Sequence, residues 1–256
     1  MKRSAALLSL LFVASSWLMA QSAPPAMHAP GGGTRETIAS IFIPPLSNAP
    51  FSATVLTEWT RTLEDGSRLT LWNQRAVMRD GRGRIFQERR VLVPKNGEQQ
   101  PEVWRVEISD PAKHHKYFCE TQPKTCEVRP YNPPQNTTMM PVGRFGEGQG
   151  DLSRENLGTQ LLNGVEAVGT RETTVLNAGA IGNDRPISIT HEYWYSPKLG
   201  LNLIEKRVDP RFGTETFGVV DVILSEPDAR RFDLPEGYKM VRTDDTKGKP
   251  QGSPQQ

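Results

Sequence analysis

From residue 51 to residue 224 the chain repeats one rhythm: apolar residues at alternate positions, then a cluster of Gly, Asp, Asn or Pro. Successive side chains of a strand point to opposite faces, so a period of two marks a strand with one covered face. Ala53, Val55, Thr57 and Trp59 share one face, and Glu64-Asp65-Gly66-Ser67 follows as a hairpin turn. Asp-Gly suits such a turn because it tolerates positive φ. Arg68–Arg79 reads as the partner strand, Asp80-Gly81-Arg82-Gly83 as the next turn and Arg84–Val93 as a third strand. Glu102–Ser109 puts Trp104, Val106 and Ile108 on one face, and Lys116–Val128 reads as a hairpin. Leu157–Leu162 and Glu166–Leu176 flank an Asn163-Gly164 turn; Pro186–Tyr195, Leu199–Val208 and Thr216–Leu224 complete the series. Thr216–Leu224 carries apolar residues on both faces, as a covered central strand would. With 22 glycines and 21 prolines, long helices have little room. The expected fold is mainly β: about ten or eleven strands in a strongly curved antiparallel sheet or half-open barrel, with one or two short helices. The helical candidates are Arg35–Phe42 and a turn over Glu226–Phe232.

Residues 130–156 interrupt the rhythm with four prolines, then Gly143, Gly146, Gly148 and Gly150, and read as one long loop. A loop of that length inside a compact domain is unusual.

The ends are different in kind. Lys2 and Arg3 precede an apolar run from Ala5 to Met19, which stops at Ala20-Gln21-Ser22-Ala23. This is the pattern of a secretory signal peptide over residues 1–20, and the run is short for a membrane span. Residues 21–34 read as a flexible leader, 35–241 as a single β-rich domain and 242–256 as a disordered tail without large apolar groups. The expectation is export to the periplasm or beyond, with no transmembrane segment in the mature chain. The formal charge of +2 comes from 31 basic and 29 acidic residues. Cleavage after Ala20 removes Lys2 and Arg3 and leaves a neutral chain, which argues against nucleic-acid binding.

Cys119 and Cys126 flank a hairpin centred on Gln122-Pro123, which sets them opposite each other. In an oxidising compartment this spacing reads as a structural disulfide, since redox motifs favour Cys-x-x-Cys and zinc needs more ligands.

Known chemistry is hard to find. There is no Gly-x-Ser-x-Gly elbow, phosphate loop or His-Glu-x-x-His helix, and the glycines at 143–150 miss the dinucleotide spacing. His114 and His115 face opposite ways on a strand end. His191 sits among Ile189, Tyr193 and Tyr195, as a core or cavity-edge residue would. Asn136-Thr137-Thr138 matches a glycosylation acceptor. No catalytic, metal or cofactor site is expected.

Two features remain. Residues 68–95 carry eight basic residues against Asp80 and Glu88, a balance of +6, whereas residues 209–237 have a balance of −4. Arg75, Arg79, Arg82, Arg84, Arg89 and Arg90 are the candidates for a basic patch; the alternative is solvated strand faces that pair with each other. Trp59, Trp72 and Trp104, with His191 and Tyr193, are the candidates to line a ligand cavity; the alternative is a packed core.

Thr57-Glu58, Leu63-Glu64-Asp65-Gly66-Ser67-Arg68 and Met78-Arg79-Asp80-Gly81-Arg82-Gly83-Arg84 resemble segments of a group of exported bacterial proteins. Leu162-Asn163-Gly164-Val165, Glu192-Tyr193-Trp194-Tyr195-Ser196-Pro197, Asp209-Pro210-Arg211 and Phe232-Asp233-Leu234-Pro235-Glu236-Gly237-Tyr238 follow the same group. The arrangement also resembles the LolA/RseB-like superfamily of lipoprotein carriers and envelope-stress sensors. That resemblance implies a curved, half-open barrel with a small lid and no catalytic residues.

The function expected from all this is an exported, non-enzymatic binding protein. Its curved sheet would hold an apolar or amphipathic ligand, such as a lipid or other hydrophobic molecule, or an envelope protein. An interaction or sensor module working through the basic strand face is the first alternative, and an exported hydrolase the second.

Overall fold

The computed structural model describes residues 41–133 and 139–241. The signal, leader and tail expectations, Arg35–Ser40 and the Asn136 acceptor lie outside them. Fourteen strands are found among the described residues: β1 (Phe51–Thr62), β2 (Arg68–Arg79), β3 (Ile85–Arg90), β4 (Val93–Pro94), β5 (Val103–Asp110), β6 (His115–Glu120), β7 (Thr125–Pro130), β8 (Gly143–Phe145), β9 (Gly150–Leu162), β10 (Val165–Leu176), β11 (Ile187–Ser196), β12 (Leu201–Asp209), β13 (Gly213–Ile223) and β14 (Lys239–Val241). They form one open sheet in the order β14-β7-β6-β5-β3-β2-β1-β13-β12-β11-β10-β9-β8, with β4 beside β2. Every pairing is antiparallel except β14 with β7.

The turn residues account for the order. Asp65 accepts from the Ser67 amide and hydroxyl, which closes the β1–β2 hairpin. Asn163 and Gly164 both take positive φ, as a two-residue hairpin requires. Gly213 (φ +97°) opens β13 where a Cβ would lie 2.3 Å from the Thr60 carbonyl, so the β12–β13 turn admits only glycine.

Register then fixes the faces. Val55 lies opposite Arg75 and Val219, and Thr57 opposite Asn73 and Phe217. This inner face carries the main core: Phe51, Ala53, Val55, Val77, Ile85, Leu201, Leu203, Phe217 and Val219, joined by Val165, Ala167, Leu199, Ile41 and Ile43. The sheet has to curl to make it. The Asn163 side chain, on the β9–β10 turn, donates to the Val219 carbonyl at 2.8 Å. In a flat sheet β10 and β13 would be about 14 Å apart, three spacings of roughly 4.8 Å.

The outer face of β3, β5 and β6 holds a second, smaller cluster of Phe86, Ile108 and Phe232, with Ala76, Met78, Val106 and Tyr117. Phe232 arrives on a 3-10 turn, Ala229–Phe232, whose first amides are capped by Asp228. The Cys119–Cys126 disulfide forms on the β6–β7 hairpin between directly opposed, fully buried residues.

Three expectations need correction. Ile41 and Phe42 are not helical; they belong to an irregular strap, since Pro44 and Pro45 favour extended chain before them. The long loop is shorter than expected, because Gly143–Phe145 is β8 and β9 begins at Gly150. Glycines with positive φ at 143, 146 and 148 reverse the chain tightly enough for β8 to pair with β9. Finally, β13 is covered on both faces only in part. A positive φ at Asp221 breaks its alternation, and Ile223 and Leu224 are exposed.

Candidate ligand cleft

The inner face changes character along the sheet. One row runs Phe51, Arg79, Ile85, Ser109, Lys116, Arg129, from β1 across β2, β3, β5 and β6 to β7. The next runs Ala53, Val77, Gln87, Glu107, Phe118, Glu127. Both rows start apolar and end charged. At the change a cleft of about 290 Å³ opens, lined by Ile41, Phe42, Ile43, Ile85, Gln87, Arg89, Ser109, Lys116 and Tyr131. The strap supplies an apolar wall, with Ile41 and Ile43 buried and Phe42 half exposed.

The polar wall is organised around Glu107, which is 5% exposed. Arg89 donates to both of its oxygens at 2.9 and 3.0 Å, Gln87 at 3.0 Å, and Lys116 lies at 2.9 Å. Burial would raise the Glu107 carboxyl. The Arg89 hydrogen bonds and the charges of Arg89 and Lys116 outweigh that and hold it below the usual glutamate range. Arg89 and Lys116, two cations that line the cleft, thus share one carboxylate. Gln87 also accepts from Arg75 at 3.3 Å. Arg75 is 4% exposed, and burial with Arg89 alongside lowers it to about 10.

Further out, the Phe118 ring carries three cations within 5.4 Å: Arg105, Lys116 and Arg129. Arg105 also pairs with Glu120, and Arg129 with Glu127. The β5–β7 inner face is therefore an alternating ionic lattice.

The residues singled out from the sequence lie elsewhere for the most part. Arg89 alone of the six arginines lines the cleft. Arg79 is fully buried and donates to the carbonyls of Ala49, Pro44 and Leu199. Arg84 and Arg82 attend Asp80, and Arg90 pairs with Glu88. The six do not share one exposed face. Trp59 donates from its indole to the Phe212 carbonyl, and Trp72 sits opposite Val93 and Glu58 on the outer face. Trp104 is 41% exposed beneath the Arg105 guanidinium. None of the three lines the cleft.

His191 and Tyr193 belong to a second polar cluster on β11 and β12. His191 Nε2 lies 3.0 Å from Glu205 Oε1, Asn202 donates to the other Glu205 oxygen at 3.1 Å, and the Tyr193 ring is 5.1 Å from His191. Burial raises the Tyr193 hydroxyl, whereas the His191 hydrogen bond helps hold Glu205 low against burial.

Sequence reasoning missed Gln87, Glu107, Ser109 and Lys116 because alternation assigned polar residues to solvent. The available signal was the apolar string Ile41-Phe42-Ile43-Pro44-Pro45-Leu46, which has to cover something.

No family model and no curated protein sequence matches this chain. Solved structures that it is similar to include an uncharacterized conserved protein from Thermus thermophilus (11% identity, 76% of this chain and 91% of that one, TM-score 0.37). The Pseudomonas aeruginosa MucA/MucB complex is another (14% identity, 73% of this chain and 56% of that one, TM-score 0.35). A third is LolA superfamily protein NE2245 from Nitrosomonas europaea (8% identity, 73% of this chain and 91% of that one, TM-score 0.28). A LolA superfamily protein is thus among the structural neighbours, in keeping with the resemblance of the strand arrangement to the LolA/RseB-like superfamily. At TM-scores of 0.28–0.37 these likenesses say nothing of what this chain binds or does.

Proposed function

We propose that this is an exported, non-enzymatic binding protein whose cleft takes an anionic amphiphile, such as a fatty acid or a lysophospholipid. The observation that carries the reading is the mixed lining of the cleft: the apolar Ile41–Ile43 and Ile85 together with the cations Arg89 and Lys116. An acyl chain fits the first and an anionic head group the second. At about 290 Å³ the cleft lies at the small end of ligand pockets, so it suits a short chain or the head-proximal part of a longer one. Half-exposed Phe42 marks the side from which the remainder would extend. Export is supported by the signal-like N-terminus and by the buried disulfide, which persists in an oxidising compartment.

The test is competition. An apolar naphthylamine probe should brighten on binding the purified protein and be displaced by laurate more readily than by a neutral detergent of the same chain length. Absence of probe uptake, or equal displacement by both, would contradict the proposal.

A further inference from the structure

The sheet ends differently on its two sides. On one side the last strand is β14, three residues long and beginning with Lys239. On the other, β9 runs for thirteen residues, but β8 pairs only with Gly150–Leu152. Among the described residues no strand covers that side of Ser153–Leu162. Natural sheets blunt such edges with Lys, Pro, bulges or very short strands. Here the bulge is at Leu157–Gly158, and beyond it Thr159-Gln160-Leu161-Leu162 has neither charge nor proline.

The hairpin fixes which groups face out. In a two-residue hairpin the pair that closes the turn exchanges hydrogen bonds, and the pairs then alternate. Leu162 therefore bonds inward to Val165, and Gln160 to Ala167. Thr159 and Leu161 turn their N–H and C=O groups outward. Both residues are exposed, Leu161 to 73%. At the near end of the same edge the Arg154 guanidinium donates to the Met140 carbonyl at 3.0 Å. This places Met139, Met140 and Val142, exposed to 53%, 48% and 58%, beside it. Flexible thioether side chains adapt to varied apolar partners.

We propose that the β9 edge at Thr159–Leu161 accepts an extended, uncharged segment of a partner polypeptide as an added strand. Alternate outward donors and acceptors are complementary to another extended main chain, which is the chemistry of strand addition. The lack of charge from Asn156 to Leu162 suits a neutral segment, and Leu161 with the methionines would contact its side chains. A second copy of this chain fits less well. Two outward-facing residues per copy fall far short of the roughly 800 Å² per partner that a stable dimer buries. This inference is independent of the cleft.

The experiment uses the purified protein and a fluorescein-labelled peptide of about ten alternating Thr and Val residues with lysine ends. Anisotropy should show saturable binding. Methylating every second backbone nitrogen of the peptide, on the edge-facing side, should weaken it at least tenfold. Leu161→Pro removes an outward N–H that makes no hairpin bond and should weaken binding to the same degree. Leu161→Lys, at a position too exposed to matter for folding, should also weaken it. Arg89→Gln should leave it unchanged, which separates this site from the cleft. No saturable binding, equal binding of the methylated peptide, or a wild-type dimer dissolved by Leu161→Lys would overturn the proposal; the last result would assign the edge to a second copy.

Discussion

Arg79 shows how far a single residue can depart from its apparent role. It is fully buried, and its guanidinium stacks 5.0 Å from the Phe51 ring. Three main-chain carbonyls, of Pro44, Ala49 and Leu199, accept from it at 2.8–2.9 Å. Burial lowers it to about 10. Arg79 ties the strap to β2 and to the β11–β12 turn, and so holds the apolar wall of the cleft in place. Arg79→Met would take away the donor to the Ala49 and Leu199 carbonyls, while Pro44 keeps the Leu46 amide. The expected loss is about 3 kcal/mol or more, read as a lower urea midpoint, because each buried group left unpaired costs roughly 1–3 kcal/mol. Alternation places Arg79 beside Val77 on the covered face, but charge argues for solvent. Sequence alone favours solvent because a strand pattern says nothing of carbonyls that arrive from loops 30 and 120 residues away.

At the scale of elements, hairpins were legible and crossovers were not. Arg68–Arg79 is β2 to the residue, since its bounding turns are spelled by Asp-Gly and Gly-x-Gly. The β6–β7 hairpin and its disulfide were equally readable from Cys spacing. Replacing Cys119 and Cys126 with Ala should cost about 2.5 kcal/mol in urea unfolding, the entropy of closing an eight-residue loop. By contrast β8 and the start of β9 were hidden, because a glycine-rich reversal looks like a loop until its partner strand is known. Bulges also shift side chains between faces, as at Trp194/Tyr195 and Gly169/Thr170, and alternation alone cannot foresee them. Trp194 rests on Gly169, where a Cβ would come within 2.7 Å of its ring. Gly169→Val should therefore cost about 1–3 kcal/mol by overpacking, measurable as a lower melting temperature.

For the whole molecule, near-neutral charge conceals an internal arrangement. Carboxylates on the strands are held below their ordinary values: Glu107 by Arg89 and Lys116 on neighbouring strands, Glu205 by His191 and Asn202, Asp209 chiefly by Arg211 in the turn that follows it. A carboxylate depressed in the folded state stabilises it fully above the unfolded value and loses that contribution as pH falls through the folded value. Stability should thus decline below about pH 4.5, and Glu107→Gln should flatten that acid limb in urea titrations. The curl of the open sheet then sets an apolar core and an ionic lattice side by side on one face, with the cleft at their boundary. The sequence showed the strands and the curl's ingredients, but not that Ile41–Ile43 lines one cleft with Arg89 and Lys116, because neither lies in a motif.

The most direct measurement compares laurate with its methyl ester by isothermal titration against the purified protein and Lys116→Met. The wild type should prefer the free acid at least tenfold, in line with the roughly 1.5–3 kcal/mol of a charge-assisted hydrogen bond, and the variant should lose that preference. Equal affinity for acid and ester, or a preference that survives Lys116→Met unchanged, would contradict the proposed function.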